Sequence, residues 1–447
     1  MKGDFSNITF NAQKHFRRVL MQQGRVQLDA DWNEQTSILL HYLQNLTKDI
    51  IGPHGGPANN LGFALTTIHD HNNKNFTDLK IGRGHYYVAG ILCENEKTSV
   101  TYKNQPNYQR PKDDKLPKLP FLVYLDVWER DITTIEDPEI REVALAGADT
   151  TTRSKIVWQV KIKDFSREES DITVEETRDY KQFIERLGKD IKPTTGLLSA
   201  RVKKSSSANS NDPCTISPNA RYRGVENQLY RVEIHQGSNS SKHPTFKWSR
   251  DNGSVVFPIQ HLSGNIVTLE HLGRESRFSL AVGDWVEIVD EDYVLQGRTE
   301  PLLQVDKIDP IERKITLKGS LPANIGQNPE KYPLLRRWDS PGEIQVTVPS
   351  TNDGWIPLED GIEVKFQTNG FYKSGDYWLI PARTATGGIN WPTKKVKDES
   401  GNLITVPEEL RPRSVQHYYA PIAIIAESRN GRPEVHDCRH KFHQLAH

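Results

Sequence analysis

This 447-residue sequence predicts a mainly β fold, with several antiparallel sandwich or barrel-like modules following an N-terminal helical extension. Three observations support that. Past a Gly-, Pro- and Asn-rich cluster at 52–60, short β-type runs follow one another with turn residues between them, and many alternate apolar with polar side chains. The runs are not spaced by the helical patterns of βαβ units, so sandwiches or barrels are expected. The only long helical period lies near the start of the chain.

From Asp31 onward, Ile38, Leu39, Tyr42, Leu43, Leu46 and Ile50 recur at helical spacing, and Gly52-Pro53 supplies a stop. Asp29 or Asp31 is expected to cap the first turn. His15 to Gln23 reads as a second short helix with Phe16, Val19 and Leu20 inward. One apolar stripe on so short a unit needs something else to bury it, so the leader reads as a docking arm. Phe16, Val19, Leu20, Leu39 and Leu43 are the candidate interface or packing positions.

The strand candidates are HYYVAGILCE, LPFLVYLDVWE, KIVWQVKI, LYRVEIH, TFKWSR, SVVFPI, NIVTLE, DWVEIVD, KITLKG, IQVTV, IEVKF and DYWLIPA. Pro138 to Ala146 is expected to form a short helix. Glu175 to Leu187 reads as a surface helix with Tyr180, Phe183 and Leu187 on one side. Linker composition marks 105–120 and 203–219, the second being the better boundary. The expected division is therefore a helical docking segment at 1–60 and β domains at 61–202, 203–330 and 331–447, the last with a C-terminal tail. VGDWVEIVD and SGDYWLIPA each place Gly-Asp-aromatic ahead of an apolar strand, a faint internal echo.

Composition narrows the function classes. Hydrophobic residues are 35% and charged residues 26%, with 9 Trp, 15 Tyr and 14 Phe, enough to bury a core. Lys plus Arg equal Asp plus Glu at 58 each, so no global field gathers phosphates, and nucleic acid is not an expected partner. No apolar run of about 20 residues is present, and the first residues lack a secretory pattern, so a cytoplasmic setting is expected. Cys93, Cys214 and Cys438 lie far apart and are odd in number, as free thiols would be.

The stretch TFKWSRDNGSVVF sets Arg250, Asp251 and Asn252 between two apolar runs, which raises the question of an active site. Phe246 and Trp248 share one strand face, as do Val255 and Phe257, and Asp-Asn-Gly suits a tight loop with positive φ. A hairpin turn is therefore expected, with Arg250 in a surface ion pair. Asp29, Asp31, Asn33 and Glu34 resemble the opening of a calcium loop, but Glu34 stands where glycine is needed and Leu40 where a bidentate Glu should be. His436, Cys438, His440, His443 and His447 are chemically able to hold zinc or copper, yet their spacing is not that of a closed site, and a polar tail is the expectation. Paired carboxylates such as Glu359 and Asp360 with Glu363, or Asp290 to Asp292, lie at strand ends and read as solvated turns. Trp128, Trp158, Trp248, Trp285, Trp338 and Trp378 could line a sugar face but are expected in the core. Nucleotide-loop and nucleophile-elbow motifs are missing, and HGG at 54–56 has no elbow to serve. No catalytic residue, cofactor or metal site is expected.

Several blocks carry a resemblance. MKGDFSNITFNAQKHFRRVLMQQGRVQLDADWNEQ, IGRGHYYVAGILCENE, YLDVWERDITTIEDPEIREVALAGADTTTRSKIVWQV, ARYRGVENQLYRVEIH, TFKWSRDNGSVVF, GDYWLIPARTATG and HYYAPIAII resemble a bacterial family associated with phage-tail-like contractile injection systems. The family has no established catalytic residues, so no site is carried over. The resemblance implies a non-enzymatic structural component at or around the baseplate or spike of such a particle. Its implied partners are other subunits of the apparatus (baseplate, spike or sheath-end proteins) and further copies of itself in a symmetric particle, with membrane contact only through the assembled particle. The alternative is a carbohydrate-binding or glycan-hydrolysing β protein at a cell envelope.

Overall fold

The computed structural model describes residues 2–70, 76–108, 115–165, 172–203, 221–239, 243–273, 278–321, 325–346, 352–398 and 400–443. The fold is mainly β, as the sequence predicts. It comprises two compact units, each gathered from separate stretches: 1–8, 133–152 and 193–414 in one, and 9–132, 153–192 and 415–447 in the other. Serial division at 60, 202 and 330 does not describe it, because the ladders that close each unit join distant segments. Tyr418–Glu427 pairs with Phe121–Ile132, and Ile362–Phe366 pairs with Leu198–Val202. Of the expected linkers, 204–219 lies outside the described residues, whereas Gln105 and Asn107 are buried. Gln105 offers both amide atoms to Val160, donating to its carbonyl and accepting from its N–H at 2.9 and 2.6 Å, so it satisfies an edge strand as a neighbouring strand would.

The helix-bearing unit begins with α1, Asp29–Ile51. Its N-cap is Leu28, without a side-chain cap; Asp29 and Asp31 fall inside the first turn, where they complement the positive end of the helix dipole. Gly52 closes the helix, its N–H donating to the Lys48 carbonyl. The expected helix at 15–23 does not form: the region holds one 3-10 turn, Ala12–Lys14, and is otherwise irregular.

The unit's main sheet orders Pro433–Asp437, Tyr418–Glu427, Phe121–Ile132 and Arg153–Asp164. Phe121–Ile132 is apolar on both faces for a reason. Phe121, Val123, Leu125 and Val127 join one core with Tyr86, Trp158 and Ile422, while Leu122 and Tyr124 join a second with Phe183 and Leu187. The second core is covered by two short helices, α2 (Val174–Arg178) and α3 (Tyr180–Leu187), split where Asp179 caps the second. Phe183 and Leu187 face inward as their spacing predicts. A smaller sheet orders Lys441–Phe442, His54–Pro57, Gly84–Val88 and Ile91–Asn95. Gly90, at φ +80°, lets the turn between its last two strands press on α1, since a Cβ there would lie 2.3 Å from the Gln44 carbonyl oxygen. Gly90→Ala is expected to cost about 1–3 kcal/mol, from left-handed backbone and forced displacement of the helix, read as a lowered urea midpoint.

In the other unit a closed barrel runs Val256–Ser263, Ile266–Leu269, Lys314–Lys318, Leu303–Asp309, Trp285–Val289, Leu334–Trp338 and back to the first strand. Inward Phe257, Val267, Val286, Ile288, Val305, Ile315, Leu317 and Leu335 fill it with side chains. A short helix, α4 (Glu291–Gln296), is capped by Asp290. A five-stranded sheet orders Ile344–Gln345, Thr245–Ser249, Gln228–Ile234, Tyr377–Arg383 and Gly388–Ile389. One of its faces packs Tyr230, Val232, Trp248, Trp378 and Ile380 against Phe366 and Tyr372. The two Gly-Asp-aromatic echoes do feed strands, one in the barrel and one in this sheet, through Gly283 and Gly375 at positive φ. Pro138 to Ala146 forms two 3-10 turns, Pro138–Ile140 and Val143–Leu145, in place of one helix.

Candidate functional site

TFKWSRDNGSVVF forms a turn, with Asn252 at φ +50° and Gly253 at φ +67°, but not a hairpin. Thr245–Ser249 pairs within the five-stranded sheet and Val256–Ser263 within the barrel, so the turn hands the chain from one to the other. Arg250 grips Glu359 with Nε and Nη2, each at 2.6 Å, and its backbone N–H donates to Asp339 at 2.9 Å. Asn252 is fully buried. Its side chain accepts from Arg231 Nη1 at 3.1 Å and donates to the Gly3 carbonyl at 2.9 Å.

That last bond brings in the start of the chain. Gln228–Ile234 points Tyr230, Val232 and Ile234 to the apolar core, so Arg231 and Glu233 fall on its other face, together with Lys247 of the adjacent strand. These residues and Glu287 of the barrel are almost wholly buried. Lys247 Nζ lies 2.5 Å from Glu287 and 3.6 Å from Glu233. Glu287 also accepts from Tyr293 Oη at 2.5 Å and Trp338 Nε1 at 3.0 Å. Glu233 accepts from Arg231 Nε at 2.6 Å and pairs with Lys2 Nζ at 3.1 Å. Burial would push both carboxyls up, but Lys2, Arg231 and Lys247 outweigh it at Glu233, and Lys247 with His235 outweighs it at Glu287, holding both below the ordinary range. Burial brings Lys2 down to about 8, still charged at neutral pH. Paired in this way, both carboxylates are held in the ionised form.

Asp251, beside this cluster, goes the other way. Burial, with Asp339 and Asp4 nearby, pushes its carboxyl up to about 6. A raised acid favours the folded state below its unfolded value of about 3.9 and loses that contribution as pH rises through its folded value. Asp251→Asn is therefore expected to raise stability by on the order of 1 kcal/mol at pH 7, a figure discounted for its partial exposure. The gain disappears below about pH 4, as thermal melts at both pH values would register.

The second feature is the leader. Phe16, Leu20, Leu39 and Leu43 are 57, 69, 52 and 54% exposed, and Val19 is half-buried with its N–H donating to Gln35 Oε1 at 2.8 Å. The irregular arm lies along one flank of α1: Thr9 donates to Glu34, and the Phe10 and His41 rings are 5.6 Å apart. Only Ala30 and Ile38 of the helix are buried. Trp32, Leu39, Leu43, Leu46 and Ile50 stay exposed in a seam at spacings of seven, four, three and four, with Leu28, Leu40 and Tyr42 beside it. Such spacing keeps apolar side chains on one side of a helix over several turns.

The other candidates resolve simply. Glu34 takes the Thr9 hydroxyl and belongs to a helix. His436 lies in a strand, Cys438 is buried, His440 stacks edge-on against His54 at 4.9 Å, and His447 lies outside the described residues. Among the described residues no His, Cys, Asp and Glu group is placed to hold a metal. Cys93 and Cys438 are free thiols, and Cys214 lies outside the described residues. Glu363 pairs with Arg201 and Asp290 caps α4, so these carboxylates are engaged. Trp128, Trp158, Trp248, Trp338 and Trp378 are buried, as expected of core residues, and Trp285 is half-buried. No described helix is long and apolar enough to cross a membrane.

Together these features define a two-unit, mainly β protein with an exposed, apolar helical leader and an internally fastened sheet and barrel. The chain belongs to the DUF6519 family, a family of unknown function whose profile matches residues 1–182 and 187–442. No curated protein and no solved structure matches it.

Sequence reasoning missed the ionic cluster. Its signal was present in YRVEIH, where Arg231 and Glu233 occupy alternate strand positions and so share a face, and in TFKWS and WVEIV, where the single charges Lys247 and Glu287 stand amid apolar strand residues. Such a face normally meets water; here it is buried with its charges paired.

Proposed function

We propose that this chain is a structural, non-enzymatic component of a contractile injection, phage-tail-like apparatus, at or around its baseplate or spike, docking through α1 and the arm before it. The observation that carries the reading is the apolar seam of α1, bare along a 23-residue helix. Exposed apolar surface of that extent marks an interaction site. The sequence blocks that resemble contractile-system proteins supply the kind of assembly. Its partners are other subunits of the particle and further copies of itself, and assembly takes place in the cytoplasm. Symmetric particles repeat one contact many times, which suits a single docking helix per subunit.

The test is incorporation of a Leu39→Glu, Leu43→Glu double variant into particles. Normal soluble amounts with no incorporation are expected; normal incorporation rules the docking role out. Deleting residues 1–52 is a poorer test, because it also strips Lys2 and Gly3 from their places against Glu233 and Asn252.

A further inference from the structure

Residues 1–8 pack with the sheet-and-barrel unit, whereas Thr9 and α1 belong to the other. The contacts of that short segment are those of a bound peptide. Lys2 Nζ pairs with Glu233 at 3.1 Å and sits 5.7 Å from the centre of the Trp338 ring. Two main-chain carbonyls are read by side chains: that of Gly3 by Asn252 Nδ2 at 2.9 Å and that of Ser6 by Arg383 Nη2 at 3.2 Å. Gly3 is itself buried, and its missing side chain lets Phe5 fold back, since a Cβ at Gly3 would come within 2.9 Å of two atoms of the Phe5 ring. Gly253, at φ +67°, lines the socket, where a Cβ would stand in ordinary contact with the Lys2 side chain at 3.5 Å. A half-buried, charge-paired lysine, a buried glycine that must be small and two carbonyls read in a tightly bent segment make a recognition motif.

Beyond this motif the chain forms a tether. Residues 11–29 are exposed save for half-buried Val19, and contain one turn of 3-10 helix. At about 3.3 Å per residue a stretch of that length spans up to roughly 60 Å when drawn out. The anchor is held by one compact body, Thr9 and Phe10 just after it touch Glu34 and His41 of α1, and the exposed stretch beyond them returns the chain to the start of that helix. Release of those contacts frees the whole stretch as a tether long enough for segments to be exchanged between identical chains.

We propose that the pocket formed by Glu233, Asn252, Trp338 and Arg383 is a binding site for the Lys2–Ser6 segment of a second copy, so that neighbouring chains exchange their N-terminal arms. The site fills from its own chain when the protein is dilute and from a neighbour when copies are held together. It does not depend on the assembly being contractile, so this proposal and the functional reading fail separately.

The experiment uses the full chain and a variant lacking residues 1–8. A synthetic peptide of residues 1–10, labelled at its C-terminus, should bind the shortened chain one to one and raise its melting temperature. A Lys2→Ala peptide should bind at least about tenfold more weakly, the scale of one charge-assisted bond. Mixing intact and shortened chains at high concentration should give a complex whose mass is that of two chains by light scattering. Absence of peptide binding, equal binding of the Lys2→Ala peptide, or a mixture that stays monomeric overturns the proposal. Should the shortened chain fail to fold, a protease site placed at the exposed Gln23–Gly24 turn replaces it. After cleavage, the cut arm should exchange with labelled peptide, and retention of the arm with no exchange overturns the proposal as surely.

Discussion

Glu287→Ala is expected to destabilise the sheet-and-barrel unit by about 3–5 kcal/mol, the cost of removing one member of a buried ion pair. Three donors lose their acceptor together: Lys247 Nζ, Tyr293 Oη and Trp338 Nε1. Each buried polar group left unsatisfied costs about 1–3 kcal/mol, and the ammonium costs most. Against a total of about 5–15 kcal/mol for a typical fold, the loss brings the unit near its unfolding threshold at ordinary temperature. Urea unfolding gives the magnitude, and hydrogen exchange of the barrel amides shows where it falls. Replacing Lys247 by Met and Glu287 by Leu together should cost much less, because no charge is then stranded, although Trp338 and Tyr293 still lose an acceptor. The same groups set an acid limit. Both Glu233 and Glu287 are depressed in the folded state, so their contribution is fully present above the unfolded value of about 4.3 and is lost as pH falls below it.

Leu39→Glu with Leu43→Glu is expected to leave folding intact and remove association. Both side chains are more than half exposed, so each change should move stability by no more than about 0.5 kcal/mol. Burying a leucine fully is worth about 1.5–3 kcal/mol, and a carboxylate in its place must be desolvated as well. If both positions lie in an interface, the loss is on the order of 5 kcal/mol, which is more than a thousandfold in affinity. Melting curves and light scattering at matched concentrations separate the two effects.

The parts of the fold legible in the sequence were those governed by local rules. The α1 period, its Gly52 stop, the turn at Asn252-Gly253 and the inward Phe183 and Leu187 depend on residues within a few positions of each other. The division into units was not legible, because it is decided by pairing of strands as far apart as Phe121–Ile132 and Tyr418–Glu427. The same limit explains the hairpin: a Gly-containing loop between two apolar runs is a sound signal for a turn, but which strands then pair is settled by the barrel and the sheet. For the site, the bare helix was readable because a stripe too wide for its own short unit is a local observation. The arm at 15–23 was misjudged because Phe16, Val19 and Leu20 have helical spacing without a packed surface to stabilise a helix of that length. Lys2, in a leader read as a helical docking segment, gave no sign of the partner 231 positions away.

On the proposed function, the protein acts through contact, as a fixed part of a larger particle. Quantitative mass spectrometry of contractile particles purified from cells that make this chain tests it most directly. A constant copy number per particle, in whole-number ratio to the baseplate proteins and unchanged by high-salt washing, is the predicted result. Absence of the chain from washed particles while it remains abundant in the soluble fraction would rule that role out.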